Sequence, residues 1–204
     1  MSIVFGPIPS RRLGRSLGIN NIPPKVCSYS CVYCQVGRTD TMTIKRKEFF
    51  SPAEIYSEVA KRVEQLKNAN ETIDYLSIVS EGEPTLDVNL GQLIKKLRKL
   101  DIDIAVITNS SLLWDEDVRS DLMNADLVSL KIDSVFPKIW KRIDRPHNTL
   151  DLHKIMEGIK SFAANYCGIL LTETMLVKVT NDSVESLYKT AEFIKQIHPE
   201  KAYI

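Results

Sequence analysis

Cys27, Cys31 and Cys34 fall within eight residues, in the run Cys27-Ser-Tyr-Ser-Cys31-Val-Tyr-Cys34-Gln. The spacing C-x3-C-x2-C lets one short loop wrap a single inorganic cube, offering three thiolates where a complete iron–sulfur cluster takes four. A [4Fe–4S] cluster held this way keeps one iron without a protein ligand, open to a small molecule that can chelate there and be reduced. Other uses of the thiols ask for residues that lie elsewhere. A structural zinc site needs a fourth Cys or His at ligand spacing, whereas His147, His153 and His198 are far downstream and Cys167 stands alone. A disulfide suits a secreted chain, and the start Met1-Ser-Ile-Val-Phe-Gly-Pro7 has neither the charged nor the apolar region of a secretory leader. Cys167 reads as a core residue, because free cysteine packs as a small hydrophobe.

Further polar residues stand where chemistry is usually found in parallel α/β folds, just after the strands. Ser80-Glu81-Gly82-Glu83-Pro84-Thr85 combines a glycine, which permits close backbone approach, with carbonyls able to accept from an ammonium. Thr108-Asn109-Ser110 is a polar cluster of the loop-forming kind. Ser129, Lys131 and Asp133 alternate with Leu130 and Ile132, so a strand there turns all three polar side chains to one face. A buried Lys and Asp are costly unless paired, and a purely structural Lys131–Asp133 pair accounts for them as well as a ligand does. Glu173, alone in Leu170-Leu-Thr-Glu173-Thr-Met-Leu176, is hard to explain as scaffold. Near the start, Arg11, Arg12 and Arg15 form a short basic run, either a solvated face or a site for an anionic substrate.

The elements that position these residues alternate between strand and helix. Ser16–Asn20 reads as a first strand. Ser51-Pro52-Ala53-Glu54 has the form of a capping box with Pro at the first helical position. It opens an amphipathic helix with Ile55, Val59, Val63 and Leu66 on one stripe. Strands are expected at 75–79, 102–107, 127–132 and 169–177, and helices at 90–97, 116–123, 152–162 and 184–197. Residues 201–204 begin a last strand. About six βα units follow from this alternation, which implies a parallel sheet with right-handed crossovers. Pattern alone leaves a doubly wound sheet and an open barrel equally acceptable.

With 204 residues, the chain suits one domain, 1–204, with a sizeable core. The hydrophobic fraction of 44% and charged fraction of 26% are those of an ordinary globular protein, and no apolar run is long enough to span a bilayer. A net charge of +1 argues against a generic nucleic-acid coat while leaving room for a local basic site. Thiols that must stay reduced place the protein in the cytoplasm.

Taken together, the cysteine run with Tyr33 before its third thiol, the Glu81-Gly82-Glu83-Pro84 stretch and Thr108-Asn109-Ser110 resemble the signature of the radical S-adenosylmethionine (SAM) superfamily. The N-terminal arginines, Asp144-Arg145-Pro146-His147 and the fifth-strand Glu-x-Met-Leu-Val bring it near the small radical SAM proteins related to wyosine-forming tRNA enzymes. That resemblance implies an α/β fold, a partial (β/α)6 barrel with its sixth strand cut short. It implies an oxidoreductase with two cofactors, a [4Fe–4S] cluster on Cys27, Cys31 and Cys34, and SAM. Reductive cleavage of SAM there gives a 5′-deoxyadenosyl radical that abstracts hydrogen from a substrate. Tyr33 then packs near the cluster and adenine, and Gly82, Glu83, Asn109, Lys131, Asp133 and Glu173 are the SAM contacts implied. One departure is plain: Glu81 stands where that family's first glycine falls. An external electron donor such as flavodoxin or ferredoxin is implied. So is a substrate that is either a tRNA base or, as an alternative, a protein or peptide, as for a glycyl-radical activase.

Overall fold

The computed structural model of the chain describes residues 2–204. Strand β1 (Val4–Ser10) turns into β2 (Gly14–Ile19), and the two-residue strands β3 (Val26–Cys27) and β4 (Thr41–Met42) flank the cysteine loop. There follow helix α1 (Pro52–Asn68), β5 (Tyr75–Ile78), α2 (Leu90–Leu97), β6 (Asp103–Thr108), α3 (Glu116–Leu122) and β7 (Leu127–Lys131). The remainder is α4 (Pro137–Ile143), α5 (Leu152–Asn165), β8 (Ile169–Glu173), α6 (Val184–Gln196) and β9 (Lys201–Tyr203). One seven-stranded sheet runs β1-β2-β5-β6-β7-β8-β9. Every pair from β2 to β9 is parallel, and β1 alone is antiparallel, on the edge.

That order decides between the two topologies left open above. A doubly wound sheet reverses its strand order at a switch point; here each new parallel strand joins the same growing edge. Successive right-handed crossovers then put all the helices on one side and curl the sheet around the other. Leu17, Leu76, Ile104, Val128 and Leu170 point to the helical side, where they pack with Ile55, Val59, Leu93, Ile159 and Phe162 in the main core. Their neighbours in sequence face inward. Leu13, Ala105, Leu127 and Leu171 form a small second cluster there, beside Ser16, Ser77 and Ser129. The result is a partial barrel, helix-coated outside and polar within.

Most elements lie where the sequence puts them. Ser51 caps α1 by accepting from the Ala53 N–H, and its buried stripe is Ile55, Val59, Val63 and Leu66. Three differences have physical causes. The hairpin strand β1 is not among the strands expected from the sequence; Pro7 and Pro9 disfavour a central strand, and on an edge their missing N–H groups do no harm. Strand β8 stops at Glu173, short of Val177. Beyond it the Met175 N–H goes to the Asp133 carboxylate (2.6 Å) and the Val177 N–H to the Asn181 side chain (2.7 Å), pulling the backbone off the ladder. Cys167, expected in the core, is exposed in the turn between α5 and β8.

One buried carboxylate gives the fold a pH signature. Asp87, fully buried, accepts from the Asn89 N–H (2.9 Å) and the Asn21 amide (3.2 Å). Burial nevertheless pushes its carboxyl up to about 6, those bonds and Arg46 offsetting only part. Folding therefore favours the protonated form, so Asp87 contributes most at about pH 4 and progressively less as pH rises towards 6. Urea unfolding across that window should show this component, worth up to about 3 kcal/mol, in wild type and not in Asp87→Asn. Identical pH slopes would remove it.

Candidate functional site

The cysteine loop starts at the end of β3 and is fastened on three sides. Towards β5, the Glu83 N–H donates to the Val26 carbonyl (3.1 Å) and the Lys25 N–H to the Glu81 carbonyl (2.6 Å). Gly82 makes this approach possible: a β-carbon there would overlap the Val26 carbonyl oxygen. Glu81, despite replacing a glycine of the motif, has no positive φ and is exposed, so its side chain is accommodated without strain. Towards β6, the Asn109 amide reaches the Ser28 hydroxyl (3.0 Å) and the Cys27 sulfur (3.5 Å). From the far side comes a strap after α4. Val32 and Ser30 N–H groups donate to the carbonyls of Ile143 (2.8 Å) and Asp144 (2.9 Å), and His147 N–H to Ser28 (2.8 Å). Trp140, buried on α4, donates its indole N–H to the Tyr29 hydroxyl at 3.0 Å.

Glu83 holds the underside of this arrangement. Its side chain, 1% exposed, accepts from the Thr85 N–H (3.1 Å), the Thr85 hydroxyl (2.5 Å), the Thr108 hydroxyl (2.6 Å) and the Asn109 N–H (2.8 Å). Burial raises its pKa and these donors lower it again in part. The carboxylate is thus a clamp between the ends of β5 and β6, and its own carbonyl accepts from Leu86 (3.1 Å). The Gly82 carbonyl, by contrast, has no donor among the described residues. Just beyond β6, Ser110 has φ 67°, in the left-handed region that favours glycine, and its buried hydroxyl has no partner among the described residues.

On the opposite wall the Tyr33 hydroxyl bonds to Asp133 and lies 3.3 Å from Asp144, whose carboxyl also accepts from the Cys31 thiol (3.3 Å). Lys131 sits with its ammonium 4.7 Å from the Tyr33 ring centroid. No Lys131–Asp133 ion pair forms among the described residues, so the structural pairing does not account for the two. Asp144 was not singled out in the sequence. It is 3% exposed, and burial together with the Asp133 carboxylate pushes its pKa well up. Only the short Asp-Arg-Pro-His segment marked its neighbourhood.

Cys27 and Cys31 are half-buried and Cys34 is exposed. Burial, then Glu83, pushes the Cys27 thiol up to about 12, and burial and Asp144 raise Cys31 as well. Such thiols become thiolates when a cation supplies the compensating charge. No three His, Cys, Asp or Glu side chains among the described residues converge on a point suited to a single ion. A cluster differs, since each thiolate binds a different iron, and the loop supplies three soft donors for that. N–H groups of Tyr29 and Asn109 point at the Cys27 sulfur, both at 3.5 Å, as donors to cluster sulfurs do. The donor set fits an iron–sulfur cluster.

Glu173 points into the barrel, accepting from the Ser129 hydroxyl (3.1 Å) and forming an ion pair with Arg12. Arg15 is engaged elsewhere, with Glu71 and the Thr72 carbonyl (3.1 Å). Of the three N-terminal arginines, Arg11 alone makes no ion pair among the described residues. The structure thus brings Tyr33, Gly82, Glu83, Asn109, Lys131 and Asp133 around the cysteine loop, with Glu173 across the barrel interior.

Comparison with known proteins bears on the family and the fold. A family model described as the radical SAM superfamily matches residues 21–194. A UPF0026 protein of Methanocaldococcus jannaschii is 57% identical over 204 residues, covering 100% of this chain and 63% of that protein. A probable GTP 3′,8-cyclase of Pyrococcus horikoshii is 24% identical over 176 residues, covering 85% of this chain and 51% of the other. The chain therefore spans between half and two thirds of these relatives. Among solved structures, TYW1 with a lysine-pyruvate adduct bound superposes with a TM-score of 0.67 at 16% identity, covering 93% of this chain and 65% of that one.

Two glycine exchanges should act in opposite directions. Ser110→Gly relieves a left-handed residue and an unpaired hydroxyl, and should raise stability by about 1 kcal/mol. Gly82→Ala forces the Val26 backbone away and should lower it by about 2 kcal/mol or more. Denaturant midpoints of the two variants check both signs.

Proposed function

This chain belongs to the radical SAM superfamily, and from that premise we propose that it is an iron–sulfur enzyme that uses SAM to start radical chemistry on a tRNA base. Members of the superfamily use a [4Fe–4S] cluster and SAM. When bound, the reduced cluster would supply one electron to the sulfonium of SAM, releasing methionine and a 5′-deoxyadenosyl radical that would take a hydrogen atom from the substrate.

The observation that carries this reading is the convergence of strand-end groups on the cysteine loop. Cys27, Cys31 and Cys34 would hold the cluster. The Gly82 carbonyl, without a donor among the described residues, is an acceptor available for an ammonium, and Glu83 holds the backbone that presents it. Asn109 orients Cys27 and Ser28. Tyr33, Lys131 and Asp133 close the opposite wall with an aromatic face, a cation and a carboxylate, suited to the adenine, carboxylate and hydroxyl groups of SAM. Glu173 adds a second carboxylate to the interior. The polar concave face positions the ligand, and the helix-coated outer face excludes water from behind it. The tRNA reading draws support from Arg11 and Arg12 at the tip of the hairpin, of which Arg11 makes no ion pair among the described residues. A small redox protein such as flavodoxin or ferredoxin is the electron donor this chemistry calls for.

Anaerobic reconstitution should give about four irons per chain, lost in Cys31→Ala and kept in Cys167→Ala. The reduced protein should convert SAM to 5′-deoxyadenosine. Asp133→Asn should weaken SAM binding by about tenfold while the cluster chromophore persists. Tight zinc without an iron–sulfur chromophore would overturn the cluster, and unmodified tRNA in the presence of a substrate peptide that is modified would overturn the tRNA reading.

A further inference from the structure

An open barrel has two free edges, and here they nearly meet. The tip of the β1–β2 hairpin lies against the ends of β7, β8 and β9, enclosing a cavity of about 530 Å³ between Ser10, Arg11 and Arg12 on one side and Lys131, Glu173 and Tyr203 on the other. Its charge is unbalanced. Arg12 pairs with Glu173 and lies with its guanidinium 5.6 Å from the centre of the Tyr203 ring. Arg11 and Lys131 have no carboxylate partner among the described residues; Lys131 rests on the aromatic face of Tyr33 instead. Three side-chain cations and one side-chain carboxylate therefore line a concave space that shares Lys131 with the wall beside the cysteine loop.

We propose that this gap between the sheet edges binds a phosphate group of the substrate, with Arg12 exchanging Glu173 for the phosphate and Arg11 and Lys131 supplying the remaining charge. The excess of two positive charges matches a phosphate ester, and the planar fork of Arg12, exposed and lying over the Tyr203 ring, suits paired bonds to phosphate oxygens. Glu173 gives up its ion pair with Arg12 and keeps the Ser129 hydroxyl as a donor, while Lys131 stands opposite it in the β7–β8 ladder. The bound phosphate would hold the rest of the substrate along the interior, towards the cysteine loop. This deepens the proposed function by giving the substrate's anchor, and it separates Arg12 and Arg11 from Arg15, whose partners Glu71 and Thr72 lie on the outer side of β2.

The test is calorimetric titration of pyrophosphate into the chain without cluster or SAM, at fixed ionic strength, so that its outcome is independent of radical chemistry. Wild type should bind. Arg12→Gln and Lys131→Gln should each bind about tenfold more weakly, and Glu173→Gln about tenfold more tightly, because its carboxylate no longer competes for Arg12. Arg15→Gln, on the same hairpin, should match wild type. Succinate should bind far more weakly than pyrophosphate. Absence of binding in both wild type and Glu173→Gln, or equal affinity in the Arg12 and Arg15 variants, overturns the site, and equal affinity for succinate overturns its preference for phosphate. If Arg12→Gln fails to fold by thermal melting, the gain in Glu173→Gln and the loss in Lys131→Gln decide the matter.

Discussion

Glu83 is a carboxylate withdrawn from water and surrounded by four donors from three residues. Removing any one of those donors would leave a charge buried with less compensation, which costs far more than an ordinary hydrogen bond. The ends of β5 and β6 are thus locked in register at the one level of the barrel where backbone leaves regular structure. The cysteine loop rests on this lock through the Val26 carbonyl and through Asn109. A loop of about a dozen residues without secondary structure of its own would otherwise wander. Here its conformation is dictated by strand ends that cannot shift independently.

The two faces of the sheet divide the labour. On the helical side, apolar side chains from alternate strand positions fill a continuous core that carries most of the stability. The inner side has only a small apolar cluster, low in the barrel, and above it Ser129, Lys131 and Glu173 on adjoining strands. Such groups are poor scaffold. Their cost is tolerable because each has a partner within the wall: a hydroxyl, an aromatic face or an arginine from the opposite edge.

What could be read in the sequence divides along the same physical line. The spacing of Cys27, Cys31 and Cys34, the stripe of α1 and the regular βα alternation are local, and local periodicity reports them directly. The inward facing of Ser129 and Lys131 follows from strand period alone. The roles of Glu83 and Asp144 do not, because their partners lie 25 and 111–113 positions away. Helix α4 carries a weaker signal than the equally short α3: both bury only two residues, but α3 opens on an Asp115 cap and α4 follows Phe136 with no side-chain cap. The early end of β8 depends on Asp133 and Asn181, one before the strand and one after it. Cys167 is exposed because its position in a turn outweighs the general tendency of cysteine to be buried.

The strap from Ile143 to His147 also imposes an order on biosynthesis. Cys31 and the Asp144 carboxyl that accepts from it are 113 residues apart in the chain. At ribosomal rates of about 5–20 residues per second, roughly 6–20 s pass between the appearance of the thiols and that of the segment which fixes them. During that interval the nascent loop has three unprotected sulfurs and no wall behind them. The loop therefore acquires its fixed conformation only once the segment up to residue 147 has been made.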